Sequence, residues 1–216
     1  PYLTMDFRFE ANIVRALAQI IDRGHLHRGF KPVHWCLDCG SALAEAEVEY
    51  KDKDSFTIWV KFKVTGSEMQ MFANSYVVIW TTTPWTIPSN KAVVYGSDIS
   101  YGLYEVTGRP QECWAKIGER YILADKLAAE VLGKARLDST MYRRLCDVPE
   151  NDLSKISLKH PLFGTKGSEG EWDDLRDFRV ADFVTDTEGT GFVHCAPSHG
   201  MEEFELYHTL YFQIQI

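Results

Sequence analysis

An α+β fold, with a barrel-like and mostly antiparallel sheet and helices at its periphery, is predicted by three features of this 216-residue chain. Short runs rich in β-branched and aromatic residues recur between turn residues. Helical periodicity is sparse and does not alternate with strands in the rhythm of a parallel doubly wound sheet. Finally, 45% apolar and 25% charged residues, with no internal repeat, describe an ordinary folded chain rather than a disordered or coiled-coil one.

The elements follow in order. From Asp6 to Arg23 the apolar Phe9, Ile13, Leu17, Ile20 and Ile21 recur at three- and four-residue steps, and Gly24 stands where a helix C-cap glycine belongs. Residues His34 to Gly40 are too short and too rich in breakers for regular structure, and read as a connector. Strands are predicted at Phe56–Val64, Tyr76–Trp80, Ala92–Tyr95, Tyr101–Val106, Cys113–Ile117, Arg179–Val184 and Gly191–His194. One further helix, Ala124–Leu132, is expected to close at Gly133.

Composition bounds the partners. The 23 basic and 31 acidic residues leave a net charge of -8, so the chain has no basic surface with which to displace counterions from a nucleic acid unaided. Five scattered cysteines, an odd number, fit a reduced, cytoplasmic setting, and no stretch approaches the roughly 20 apolar residues of a membrane span. A start at Pro1 rather than methionine reads as a piece of a longer polypeptide.

Two segments hold chemistry. In Trp80-Thr81-Thr82-Thr83-Pro84-Trp85-Thr86-Ile87-Pro88-Ser89-Asn90, the prolines force the chain out of the preceding strand as a stiff loop, with Thr83 and Ile87 biased to extended backbone. Three successive hydroxyls offer donors and acceptors, and two indoles offer flat walls, although threonines at a strand end also serve simply as sheet formers. In Gly189-Thr190-Gly191-Phe192-Val193-His194, a glycine turn precedes an apolar strand that delivers an imidazole to its end, where histidine is commonly just a hydrogen-bonded surface residue. Glu202 and Glu203 follow as an acidic pair, either a helix start complementing the macrodipole or an anchor for an ammonium. Cys195 beside His194 is no nucleophile pair, because neighbours on a strand point to opposite faces. Cys36-x-x-Cys39 has the spacing of half a zinc knuckle, but no second pair completes four ligands.

The threonine-rich string resembles the motif Trp-Thr-Thr-Thr-Pro-Trp-Thr-Ile/Leu-Pro-x-Asn of the editing domain inserted in bacterial isoleucyl-tRNA synthetases. The valyl and leucyl relatives carry arginine where this chain has Thr83. Lys31 to Tyr50 and Gly189 to Gly200 are similar to two further blocks of the same insertion, and no HIGH-like or KMSKS-like adenylation motif is present. On that resemblance the chain divides into a helix and connector to the parent catalytic domain (1–49), an editing domain (50–205) and an incomplete C-terminal tail (206–216).

The resemblance implies a function: hydrolysis of valine misattached to isoleucine tRNA, in a pocket that isoleucine cannot enter. Thr82, Thr83, His194 and Glu203 would serve catalysis, with His194 narrowing the pocket and Glu203 holding the α-ammonium. Thr81 and Trp85 would line it with them, and Asn90 would fix the loop or touch substrate. The family places an aspartate nine residues beyond the histidine; here that position is Glu203, one methylene longer. A positioned water, assisted by the free ribose hydroxyl, would attack, before or after transfer to tRNA. No cofactor is implied for this segment, whereas the parent enzyme would use ATP and magnesium and in some relatives zinc. The partners would be the valine-carrying acceptor end of isoleucine tRNA and the remainder of the synthetase, with no membrane. The alternatives are a non-catalytic aminoacyl-adenosine binding module and a zinc-stabilised structural module.

Overall fold

The structure, a computed structural model, describes residues 2–26, 29–66 and 70–212, with side chains through residue 208. Two compact units divide the chain, Pro1–Lys31 and Pro32–Ile216. In the first, α1 (Phe7–Asp22) begins where Asp6 Oδ1 accepts from the backbone N–H groups of Arg8 and Phe9, at 2.9 and 3.2 Å. It ends as predicted: Gly24 takes a φ of 75°, and the N–H groups of Gly24 and His25 turn back to the carbonyls of Ile21 and Ile20.

The second unit opens with a small hairpin, β1 (Trp35–Cys36) inside the segment expected to lack regular structure and β2 (Ser41–Ala42) just after it. The left-handed Gly40, with its N–H donating to the Cys36 carbonyl, is what folds so short a stretch back on itself. One large sheet follows, made of β3 (Ile58–Thr65), β4 (Ser75–Thr81), β5 (Ala92–Tyr95), β6 (Tyr101–Val106), β7 (Arg120–Ala124), β8 (Tyr142–Asp147), β9 (Ser157–Lys159), β10 (Leu175–Val180) and β11 (Phe192–Cys195). Its spatial order is β11-β5-β10-β9-β3-β4-β7-β6-β8, and only β5/β10 and β4/β7 are parallel. Helices α2 (Asp125–Lys134), α3 (Glu150–Leu153) and α4 (Met201–Phe212) flank it. The α+β class and the antiparallel bias stand as predicted. The barrel does not close: β11 and β8 end the sheet without pairing, although β11 curls back to lie against β4 without a hydrogen-bonded ladder.

The core is buried on both faces of the central strands: Phe62, Val77, Ile79, Leu103 and Ile122 point to one side, Val78, Tyr121 and Leu123 to the other, and Leu127, Val131 and Leu132 of α2 belong to the same cluster. Strand β5 is buried along its whole length because its two faces serve different clusters: Val93 and Tyr95 join the main core, while Ala92 and Val94 join Ala181, Val184 and Cys195.

Several local expectations needed correction. Cys113–Ile117 is a bend, not a strand; Cys113, Trp114 and Ala115 pack inward as a loop, with Ala115 buried and Cys113 Sγ donating to the Ala135 carbonyl, while Ile117 stays exposed, so no partner strand is required. The strand near residue 180 starts earlier, at Leu175, because β9 and β5 both claim residues 175–180 in register. Gly133 lies inside α2, and Arg136, with φ of 64°, takes the left-handed turn after it. Strands β7, β8 and β9 were not foreseen. Of the tail at 206–216, α4 holds residues up to Phe212, and 213–216 fall outside the described residues.

Candidate functional site

The threonine segment leaves the sheet at the end of β4, where Thr81 pairs with Ile58 of β3. Pro84 ends the ladder, but the chain does not continue as an extended loop; residues Pro84–Ser89 wind into a 3-10 turn, with Pro84 supplying its first position and Pro88 tolerated inside. Distant side chains pin this turn. His160, whose Nδ1 accepts from the Leu162 N–H at 3.1 Å, donates through Nε2 to the Ile87 carbonyl at 2.8 Å, and Trp172 Nε1 donates to the Pro88 carbonyl at 2.9 Å. Burial holds His160 below its usual pKa, which keeps that neutral tautomer.

The second segment arrives from the other side. Gly191 takes φ of 78° and turns the chain into β11, which pairs antiparallel with β5 so that His194 lies opposite Val93 and Cys195 opposite Ala92. Strand alternation then separates the two as expected. His194 faces the space beside the threonines, while Cys195 sinks into the smaller apolar cluster, its thiol pushed up to about 12 by burial and by Glu203.

The two segments share one hollow of about 310 Å³. Thr81, Thr82, Thr83, His194 and Glu203 all line it, together with Trp80 and the 188–193 stretch. Trp85 and Asn90 are not among the lining residues. Trp85 is 68% exposed, and Asn90 is fully buried, its Nδ2 donating to the Ala92 carbonyl at 2.7 Å and so tying the loop to β5. Glu203 reaches the hollow from the first turn of α4. Its carboxylate folds back over Gly200, into the space that a Cβ at that position would fill.

Thr86, which lies inside the quoted string but carries no separate signal in sequence, is the hub of the site. Its hydroxyl donates to the Thr83 carbonyl at 2.8 Å, so its oxygen can only accept from His194 Nε2, 3.0 Å away. The ring proton is therefore on Nε2. Nδ1 is bare and, among the described residues, has no partner. Thr83 Oγ1 lies 3.1 Å from Thr81 Oγ1 and 3.3 Å from Thr86 Oγ1, completing a chain of hydroxyls along the wall.

Burial, reinforced by the neighbouring His199 and His160, lowers the His194 pKa from 6.5 to about 4. The imidazole is neutral at physiological pH, and it neither carries positive charge nor supplies an acidic proton there. A depressed histidine pKa stabilises the fold fully above its unfolded value and loses that contribution as pH falls from 6.5 through 4, roughly 3 kcal/mol in all. The NMR resonances of His194 should accordingly stay flat from neutral pH down to about 5 and move near 4. A titration centred near 6.5 would contradict the buried, Thr86-bonded ring.

The Cys36/Cys39 knuckle is preorganised: the Cys39 N–H donates to Cys36 Sγ at 3.2 Å, and this bond with that from the Cys39 thiol draws the Cys36 pKa down. Two thiols do not fill a tetrahedral site, and no group of three or more metal-ligating side chains occurs among the described residues. A complete zinc site therefore does not fit the described part of this chain. Likewise, no helix among the described residues is long and apolar enough to cross a membrane.

The model of the class I tRNA synthetases (I, L, M and V) matches residues 1–208. The chain belongs to that family. Curated relatives include isoleucine–tRNA ligases of Ruegeria pomeroyi, 62% identical over 97% of this synthetase chain and 21% of the relative, and of Bradyrhizobium diazoefficiens, 47% identical over 96% and 20%. The chain thus spans about a fifth of the length of the enzymes it matches. Its fold is similar to that of GlLeuRS-CP1, with a TM-score of 0.51 at 14% identity, over 71% of this synthetase chain and 59% of that structure.

Proposed function

We propose that this segment is the editing site of an isoleucyl-tRNA synthetase, hydrolysing the ester of valine mistakenly joined to isoleucine tRNA. The observation that carries this reading is the meeting of the three threonines, His194 and Glu203 around one hollow, although more than a hundred residues separate the two segments. The chemical need is clear. A pocket gains only about 1 to 3 kcal/mol from one methylene, a limit for which isoleucine against valine is the standard illustration, so a second site must sort by exclusion.

In the hollow, Glu203 holds the α-ammonium through a charge-assisted bond, and the hydroxyls of Thr81, Thr82 and Thr83 receive the ester and the terminal ribose. The His194 ring, locked by Thr86, forms the wall that an additional methyl meets. Among the described residues the hollow offers no activated nucleophile: Cys195 is protonated and faces away, and the threonine hydroxyls have no carboxylate or free imidazole bonded to them. Water is the attacking group, oriented by the hydroxyl chain and by the free hydroxyl of the substrate ribose, with rate gained from position and from donors to the developing oxyanion. The negative charge of -8 fits delivery of the tRNA by the remainder of the synthetase rather than by this segment.

The test is deacylation of Val-tRNA by the full-length synthetase carrying this segment. Glu203→Ala should slow valine release by about 10- to 100-fold, the worth of a hydrogen bond to a charged group, and Thr82→Ala by a smaller factor. Rates equal to the parent in both variants would remove the site.

A further inference from the structure

A second cavity, of about 280 Å³, adjoins the hollow and takes no part in the reaction described above. Its floor is Trp59 and Trp80, directly opposite each other in the β3/β4 register and therefore on one face of the sheet. Glu130 and Lys134 of α2 form one wall, and Glu188 with Gly189 the other. Trp80, Glu188 and Gly189 line both spaces, so the two are immediate neighbours.

We propose that this cavity is a stacking subsite for the nucleobase preceding the esterified nucleotide on the acceptor strand, with Trp59 as its platform. The inference rests on the ester-hydrolysis reading of the hollow. Its physical basis is the match of groups. Indole faces accept any base by stacking, and Trp59 and Trp80 are only partly buried. The Trp59 face is currently shared with the Lys134 ammonium, 6.0 Å from the ring centroid, which is free to swing to the strand's phosphate. Glu130 and Glu188 are acceptors only, suited to the exocyclic amine of a cytosine, the base that precedes the terminal adenosine in every tRNA. A bare anion would meet two carboxylates against one ammonium, and an aliphatic ligand would leave all three unused. With this segment at a net charge of -8, stacking is what its own residues can add to seating the strand.

The experiment uses the full-length synthetase and two substrates, the valyl ester of adenosine and that of the dinucleotide cytidylyl-adenosine. Trp59→Leu keeps apolar bulk in the sheet but removes the ring, and Trp59→Phe keeps a ring. The parent should show a KM about tenfold lower for the dinucleotide ester than for the adenosine ester. Trp59→Leu should abolish that difference with kcat and the adenosine ester unaffected, and Trp59→Phe should restore most of it. Equal KM values for the two esters in the parent would overturn the proposal. So would a Trp59→Leu variant that retains the dinucleotide advantage, or one impaired equally on both esters. If the parent hydrolyses neither ester, the reading of the hollow fails first and this inference falls with it.

Discussion

Full-length synthetase with His194→Ala should release isoleucine from Ile-tRNA at a rate within about tenfold of valine release, where the parent leaves isoleucine attached. On the proposed reading the imidazole is a wall rather than a reagent, since it is 8% exposed, neutral, and spends its only N–H on Thr86. Removing it should enlarge the hollow on the side where the proposal places the extra methyl, while Glu203 on α4, Thr81 at the end of β4 and the following Thr82 and Thr83 keep their positions. Valine release should fall by less than the hundredfold expected of a group used in the chemistry. The cost shows instead in stability, since Thr86 loses a partner and the ring leaves a void, together about 2 to 4 kcal/mol. Ile-tRNA that stays intact in the presence of the variant would end the steric account.

Gly191→Ala should be the most damaging single methyl in this site. At a φ of 78° any side chain is strained by roughly 1 to 2 kcal/mol, and the new Cβ would overlap Ala124 Cβ and stand 3.4 Å from the Tyr101 ring. Neither neighbour can yield: Ala124 closes β7 in the core, and Tyr101 donates its hydroxyl to the Gly191 carbonyl at 2.8 Å. Strand β11 must therefore shift against β5, carrying His194 with it. Urea denaturation followed by tryptophan fluorescence should show a loss above about 3 kcal/mol, with editing abolished. Gly189→Ala is the internal control. Its φ is similar at 77°, but its nearest neighbour is a Trp80 ring atom at an ordinary 3.7 Å, so only the backbone strain remains, about 1 kcal/mol. Equal losses at the two positions would show that contact with Ala124 does not set the Gly191 requirement.

The strands that could be read from residue type are those with both a dense apolar or β-branched pattern and a buried face. β5 and β6 appear with the predicted bounds, and β3, β4 and β11 within two residues. β8 escaped because it is an edge strand whose Arg143 and Arg144 face outward to Glu105, Asp125 and Asp147, which leaves no alternation to see. Cys113–Ile117 misled for the opposite reason: apolar residues mark contact with a core, and a loop makes such contact as well as a strand does.

The candidate site divides along the same line. Its threonines, histidine and glutamate stand out in short strings, because a string of hydroxyls after a strand, or a glycine turn before one, is a property of a few adjacent residues. That Thr82, His194 and Glu203 face one hollow, that Trp85 faces away from it, and that Thr86 holds the imidazole in one tautomer are relations across β4, β5, β11 and α4. They depend on which strands lie side by side and in what register. Neighbours in the chain set backbone preference within a few residues, but register is chosen by the burial of every face at once, and a displacement of one position would turn His194 into the apolar cluster that Cys195 now fills.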